Sequence, residues 1–187
     1  MSRFGDCPGR RAVLKAGVGL GIQLGLAKAA DNAASVRPKE GDLLVKVDDK
    51  NAVPLTPDDI PLGGEQIAAW AMDPVDKTIR SGDRLNRILV LRFSPAQLSA
   101  ETAPRSADGV VAYTAICTHA GCEVTDWIPD QQHVFCPCHD STFDPKDSGK
   151  VVDGPAPRML PALPLKIVDK QLVVAKPFTE RIYFDKS

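Results

Sequence analysis

The chain has 187 residues, of which 43% are hydrophobic, and this is enough for one globular domain with a real core and a short appendage. Its 14 glycines and 16 prolines, without long periodic apolar stretches, favour β structure with many loops. The formal net charge is −1, but the residues after position 29 hold 18 basic and 23 acidic side chains, a net charge of −5. This balance excludes the basic surface of a nucleic-acid-binding protein.

The first 29 residues have the pattern of an export signal. Arg10 and Arg11 form a twin-arginine pair, residues 16–27 are weakly apolar, and residues 27–29 form a small-x-small cleavage site. A bilayer span needs about 20 apolar residues, and this run has 12. The sequence therefore predicts a cleaved twin-arginine signal rather than a short permanent anchor, and a periplasmic location.

The rest of the chain reads as a linker over residues 30–45 followed by one domain over residues 46–187. Strand patterns cover residues 43–47, 66–72, 86–93, 109–116, 133–135, 163–168 and 171–175. Ser94, placed before Pro95, predicts the start of one short helical turn. The predicted fold is all-β, a small antiparallel sandwich or barrel with functional residues in its loops.

Two short motifs carry the candidate chemistry: Cys117-Thr-His119-Ala-Gly-Cys122 and Cys136-Pro-Cys138-His139-Asp-Ser141. Each follows a strand pattern directly, so each is expected to form a turn at a strand end. Together the two turns offer two thiolates and two imidazoles, a donor set that suits zinc or iron–sulfur chemistry. A single zinc would leave Cys122 and Cys138 unused, whereas their placement, one in each turn, would allow a disulfide in an exported protein.

The two motifs resemble the C-x-H-x-G-C and C-x-C-H-x-S motifs of the Rieske 2Fe–2S family, and residues 154–157 resemble the proline loop that covers the family's cluster. The resemblance extends more weakly over about residues 50–176. It implies a Rieske domain with an inserted cluster-binding subdomain and one Rieske-type 2Fe–2S cluster. It further implies one iron on Cys117 and Cys136, the other on His119 and His139, a disulfide between Cys122 and Cys138, and a covering loop that includes Gly154, Pro155 and Pro157.

Three further residues are expected to tune the cluster. Ser141 matches the family serine that donates a hydrogen bond to a bridging sulfide, and such bonds raise the reduction potential. Phe143 stands where high-potential members carry a tyrosine, and Asp140 places a carboxylate where glycine is common. Both departures lower the potential, so we expect a positive but middling value.

The favoured function is periplasmic single-electron transfer, as a small subunit or soluble partner of a respiratory or periplasmic oxidoreductase. The alternative is the iron–sulfur subunit of a cytochrome bc-type quinol–cytochrome c oxidoreductase, for which a firm membrane span and an apolar tip are expected. The short apolar run, the small Ala120 and the charged Asp140 favour the first function. The expected partners are a c-type cytochrome, a dehydrogenase or a cytochrome b subunit, with membrane association through the N-terminal segment or a partner.

Two other classes of function are open to a chain with these motifs. A Rieske oxygenase needs a second iron on two further histidines, and the chain has only His133 beyond the two predicted ligands. This chain alone is therefore not expected to be an oxygenase. A non-redox binding module is the remaining class, and iron and acid-labile sulfide analysis separates it from an electron carrier.

Overall fold

Ten strands form two antiparallel sheets in the computed structural model, which describes residues 33–183. The larger sheet contains β1 (Leu43–Lys46), β2 (Ile67–Met72), β3 (Ile88–Arg92), β4 (Val110–Thr114), β9 (Leu165–Val168) and β10 (Gln171–Val174). The smaller sheet contains β5 (Asp126–Ile128), β6 (His133–Cys136), β7 (Ser141–Asp144) and β8 (Lys150–Asp153). Short 3₁₀ turns lie at Pro57–Asp59, Arg84–Asn86, Pro95–Gln97 and Ala103–Arg105.

The larger sheet curls on itself. Its strand order is β4-β3-β2-β1-β10-β9, and the segment just before β9 returns to pair with the opposite edge strand, β4. Thr114 N donates to Pro161 O at 3.0 Å, and Leu163 N donates to Ala112 O at 2.8 Å. The smaller sheet, in the order β5-β6-β7-β8, is built from the chain between β4 and this returning segment. The predicted all-β fold with an inserted subdomain is therefore confirmed.

Strands β3 and β4 are buried on both faces. Ile88 and Val90 point into the core of the curled sheet, while the alternate residues Leu89 and Leu91 point towards the smaller sheet. This alternation follows from the two-residue period of a strand. The two strands thus lie between two of the three buried clusters in residues 33–183, one inside the larger sheet and one between the two sheets, and the latter reaches the cysteine motifs.

Several strands differ from the sequence-based expectation. The three strands β5, β7 and β8 were not predicted, because they are only three or four residues long and carry polar or charged side chains. Strand β1 agrees with the strand pattern over residues 43–47, although it begins inside the segment expected to be a linker. The predicted helical turn after Ser94 is confirmed, with Ser94 N donating to Gln97 Oε1 at 3.1 Å.

The predicted export signal, residues 1–29, lies outside the described residues. Over residues 33–183, the structure contains no helix with both the length and the apolar character that crossing a bilayer requires.

A buried ion pair fastens the segment before β1 to the larger sheet. Asp42 is fully buried and Arg80 is 3% exposed, and two nitrogen atoms of the guanidinium donate to the two carboxylate oxygens of Asp42 at 2.5 and 2.9 Å. Nearby, Asn86 Nδ2 donates to Val36 O at 2.8 Å. Residues 36–42 are therefore bound to the domain and do not run as a free linker.

Arg80→Ala is expected to lower the free energy of unfolding by about 3–5 kcal/mol, because it leaves the buried carboxylate of Asp42 without its counter-charge. Chemical denaturation at neutral pH measures the change. The matched control is Arg105→Ala, which breaks an exposed pair with Glu101 at 3.2 Å and is expected to cost less than about 1 kcal/mol. Equal losses in the two variants would contradict a structural role for the buried pair.

Candidate metal centre

The first cysteine motif forms a tight turn at the end of the β4 segment. This first turn, residues 117–122, is closed by Cys117 N, which donates to Cys122 O at 2.8 Å, and by Gly121 N, which donates to Cys117 O at 3.1 Å. The chain on either side pairs in antiparallel fashion, with Val124 N donating to Ala115 O at 2.8 Å. The turn is therefore a hairpin loop held at its base, with His119 inside it.

The second motif forms a similar turn between β6 and β7. In this second turn, residues 136–141, Cys136 and Ser141 are paired across the two strands, and four residues close the loop. Asp140 has a φ of 60°, in the left-handed region that glycine adopts without strain and that aspartate tolerates better than most residues. This backbone conformation explains why a small or short polar residue follows His139.

A disulfide joins the two turns. Cys122 and Cys138 are bonded, with their Cα atoms 6.5 Å apart and a sequence separation of 16, and this confirms the predicted pairing. Cys122 lies at the base of the first turn and Cys138 inside the second. The bond therefore limits how far the two turns can separate.

The four predicted ligand residues come together as two pairs. Cys117 and Cys136 are free thiols, each 1% exposed, and the rings of His119 and His139 lie edge to face with their centroids 4.6 Å apart. Within residues 33–183, no three His, Cys, Asp or Glu side chains converge as ligands of a single ion. The donors are thus arranged as a thiol pair and an imidazole pair.

The surroundings of Cys136 favour the uncharged thiol when no metal is bound. Burial raises the pKa of the Cys136 thiol to about 11, and the adjacent Cys117 thiol contributes in the same direction. The backbone N–H groups of Cys138 and His139 donate to the Cys136 sulfur and lower the pKa in part. The positive charge of a bound metal centre would stabilise the thiolate forms of these two cysteines.

Two buried polar atoms at this site lack a hydrogen-bond partner. In the described part of the chain, three buried side-chain atoms have none: Gln66 Oε1, His119 Nδ1 and Ser141 Oγ. Such atoms are rare because desolvation without a partner is costly. The nitrogen of His119 fits a metal ligand, and the hydroxyl of Ser141 fits a donor to a sulfur atom of the same centre.

The predicted covering loop lies against both turns. This cover loop, residues 154–157, begins at Gly154, where a Cβ atom would lie 2.5 Å from Asp140 O and 2.6 Å from the Cα atom of Ser141. Ala156 is buried in the core between the sheets, while Pro155 and Pro157 are exposed. On the other side, Thr118 Oγ1 donates to Arg158 O at 2.6 Å. The loop thus bridges the two turns.

The three residues expected to tune the centre occupy different environments. Ser141 and Phe143 are fully buried on the same face of β7, two positions apart, and Phe143 packs in the core that contains both free cysteines. Asp140 is exposed next to the exposed ring of His139. Their influence on a potential remains a prediction.

The third histidine stands apart from the two histidines of the site. His133 begins β6, at the opposite end of the strand from Cys136, and its Nε2 atom lies 3.8 Å from Asp144 Oδ2. Burial lowers the pKa of His133, and the nearby carboxylate of Asp144 counteracts part of this effect. His133 is therefore half-buried and lies outside the candidate site.

Sequence reasoning missed Thr118. It is 5% exposed and lies between Cys117 and His119, where its hydroxyl joins the first turn to the cover loop. No periodicity or spacing distinguishes a threonine that bonds to a distant carbonyl, so the sequence held no signal for this contact.

Comparisons with known proteins agree with this geometry. The family model described as "Rieske [2Fe-2S] domain" matches residues 46–164. The "Cytochrome bc1 complex Rieske iron-sulfur subunit" of Streptomyces lividans is 32% identical over 133 residues, which are 70% of this chain and 77% of that protein. The "Putative respiratory nitrate reductase subunit Rieske" of Haloferax mediterranei is 42% identical over 67 residues, which are 36% of this chain and 30% of that protein.

Some relatives are much longer than the matched region. The bc1 complex Rieske subunit of Streptomyces coelicolor is also 32% identical over 133 residues, but these make up only 37% of its length. The similarity therefore covers a common domain and leaves most of that protein without a counterpart.

Gly154→Ala is expected to displace the cover loop, because Gly154 has a φ of 84° and the added Cβ would collide with the backbone of the second turn. We expect a loss of about 1–3 kcal/mol in the free energy of unfolding from backbone strain, and a further loss from the collision. Urea denaturation measures the sum of the two losses. The matched control is Gly41→Ala, where φ is 91° and nothing lies within 4 Å of the added Cβ. A loss no larger than that of the control would show that the contact with Asp140 and Ser141 does not matter.

Proposed function

Because this chain belongs to the Rieske [2Fe-2S] family, we propose that it carries single electrons in the periplasm, as the small subunit or soluble partner of a respiratory oxidoreductase. The family implies one Rieske-type 2Fe–2S cluster and electron transfer. The observation that supports a working centre in this chain is the convergence of two buried thiols and two imidazoles beneath one cover loop.

The proposed ligands follow the two donor pairs. Cys117 and Cys136 would hold one iron, and His119 and His139 would hold the other. The bound cluster supplies one-electron chemistry, and neutral imidazoles in place of thiolates give Rieske centres potentials of roughly −150 to +300 mV. The chain's own residues bind the cluster, limit the access of water through the cover loop and orient the hydroxyl of Ser141.

Electrons are proposed to pass at the imidazole edge. His139 is exposed and His119 is half-buried, whereas both cysteines are buried. A partner that docks over His139 would meet the exposed side chains of Asp140 and Pro155. A carboxylate at this edge suits a partner with a basic docking face.

The proposed location rests on the N-terminal sequence. The twin-arginine pair at Arg10 and Arg11 is followed by an apolar run that is short for a membrane anchor. The disulfide between Cys122 and Cys138 is also typical of proteins in an oxidising compartment. These two observations support export, with association to the membrane through the N-terminal segment or a partner.

A second candidate function is the iron–sulfur subunit of a cytochrome bc-type complex. It is favoured by relatives named as bc1 complex Rieske subunits, one of them matched over 70% of this chain. The exposed carboxylate of Asp140 beside His139 favours the first candidate, because a quinol-docking tip is expected to be apolar.

Fractionation of the native host tests the choice between the two. We expect the mature protein in the periplasmic fraction, with iron, acid-labile sulfide and a rhombic EPR signal after reduction, and with an oxidoreductase other than a bc complex co-purifying. Co-purification with a membrane-bound cytochrome b would establish the second candidate instead. Protein that keeps its N-terminal segment and remains in the cytoplasm would overturn the proposed location.

Ser141→Ala is expected to lower the reduction potential and Phe143→Tyr to raise it, because hydrogen bonds to the sulfurs stabilise the more negative reduced cluster. A hydrogen bond contributes about 1 kcal/mol, and 59 mV corresponds to about 1.4 kcal/mol for one electron, so each shift should be on the order of 40 mV. Protein-film voltammetry measures it.

Phe135→Tyr is the control for the added hydroxyl, since Phe135 is half-buried and lies next to Cys136 in β6, on the opposite face of the strand. Its potential should match that of the wild type. A shift of the same size in Phe135→Tyr and Phe143→Tyr would contradict a specific hydrogen bond at position 143.

The reduction potential is expected to fall as pH rises through the alkaline range, because a proton on the imidazole of His119 or His139 offsets the charge added on reduction. Voltammetry across the pH range measures the profile. His133→Gln should retain the wild-type profile, because His133 lies at the far end of β6. A flat profile in the wild-type protein would argue against two titrating imidazole ligands.

A further inference from the structure

The chain that follows the last strand returns towards the cluster site. This tail segment, residues 175–183, runs beside the segment that precedes β9. Ala175 N donates to Pro164 O at 2.8 Å, and Thr179 N donates to Ala162 O at 2.9 Å. Ile182 is 3% exposed. The tail segment lies beyond the residues that the family model matches, which end at residue 164.

Arg158, directly after the cover loop, holds the tail segment with its side chain. Its Nη1 atom lies 3.3 Å from Glu180 Oε2, and its Nη2 atom donates to Arg181 O at 2.8 Å. The backbone carbonyl of the same residue accepts the hydroxyl of Thr118 at 2.6 Å. One residue thus links the tail segment, the cover loop and the turn that carries two predicted ligands.

The end of the tail segment also touches the first turn directly. A Cβ atom added at Gly121 would lie 2.9–3.1 Å from three ring atoms of Tyr183, so the ring packs closely on this glycine. Gly121 is buried, and its carbonyl accepts Arg84 Nη1 at 2.6 Å. Gly121 precedes the disulfide-bonded Cys122, so the tyrosine ring covers the outer side of the first turn.

We propose that the tail segment and Arg158 position the cover loop against the first turn, with Arg158 as the positioning residue and Tyr183 as the covering ring. Exposed ion pairs contribute little to global stability, so the role of Arg158 is geometrical. It fixes the carbonyl that Thr118 binds and thereby fixes the distance between the cover loop and the first turn.

The inference rests on the proposed ligand set. It predicts changes at the cluster site that a change in global stability alone would not produce. A loosened cover loop samples several arrangements around the site, which broadens the low-temperature EPR signal of the reduced cluster. It also opens locally more often and admits chelators faster. Neither effect requires the whole domain to unfold.

Arg158→Ala tests the proposal, with Arg105→Ala as its matched control. Both arginines are about one-third exposed, at 32% and 31%, and both pair with a glutamate, at 3.3 and 3.2 Å. We expect Arg158→Ala to broaden the EPR signal and to speed the bleaching of visible absorption by EDTA by about fivefold, the scale of one surface contact in a local opening. Arg105→Ala should behave as the wild type in both measurements.

A truncation after Phe178 removes the partners of Arg158 together with Tyr183, and a truncation after Tyr183 is its control. The truncation after Phe178 should bleach at least as fast as Arg158→Ala. Adding Arg158→Ala to it should bring no further increase, because the truncation has already removed the partners of the Arg158 side chain. The control truncation should match the wild type.

The outcomes separate this inference from the proposed function. Wild-type protein without a Rieske EPR signal would overturn the function itself. A normal wild-type signal, with Arg158→Ala identical to Arg105→Ala in line width and bleaching rate, would overturn only the positioning role. Faster bleaching that scales with a fall in Tm, without a change in line width, would also overturn it.

Discussion

The core between the two sheets determines where both cysteine turns lie. Leu89, Leu91 and Tyr113 enter it from the larger sheet, and Val134 and Phe143 enter it from the smaller sheet. The two free cysteines belong to the same cluster of buried residues. Each turn is only four residues between its closing pair, so it cannot adjust far by itself. The separation of the thiols therefore depends on how the sheets pack.

One buried hydrogen bond within this core connects the two sheets. The hydroxyl of Tyr113 donates to Pro145 O at 2.7 Å, from β4 to the chain just after β7. Burial raises the pKa of Tyr113, which favours the protonated phenol that donates this hydrogen bond. The bond therefore links the two sheets inside the core that contains both free cysteines.

The same burial couples folding to cluster binding. Two uncharged thiols can share an apolar core, whereas two thiolates without metal cannot, and the raised pKa of Cys136 expresses this cost. Metal binding reverses the balance, because the cluster's positive iron centres need the thiolate form. A cluster inserted before export would leave the cytoplasm inside a folded domain, which agrees with the twin-arginine pair at Arg10 and Arg11.

The sequence predicted the residues of the two turns better than the contacts that hold the turns in place. The two motifs place cysteine and histidine at short, fixed spacings, so the composition of the turns and the disulfide between Cys122 and Cys138 could be predicted from the sequence alone. The strong strands β3 and β4 were also predictable, since both are continuous apolar runs buried on two faces. The motifs and these two strands could be predicted because each depends on residues that are close together in the sequence.

The features that sequence reasoning missed depend on contacts between distant residues. Strand β8 is short and exposed, and it forms because β7 offers an edge to pair with. Residues 36–42 read as a linker because their polar side chains, such as those of Arg37 and Asp42, find their partners Asn86 and Arg80 only after folding. Arg158 reads as a surface arginine for the same reason.

Stability and geometry at this site come from different contacts. The disulfide, with a sequence separation of 16, contributes roughly 3 kcal/mol on the chain-entropy model, whereas an exposed ion pair such as Arg158–Glu180 contributes about 0–1 kcal/mol. Exposed ion pairs therefore change the free energy of unfolding too little to be detected easily by denaturation. Arg158 also accepts a hydrogen bond from Thr118, which precedes the proposed ligand His119 in the first turn. Because a potential responds to small changes in hydrogen bonding and solvent access around a cluster, we expect such weak contacts to affect electron transfer more than the stability of the fold.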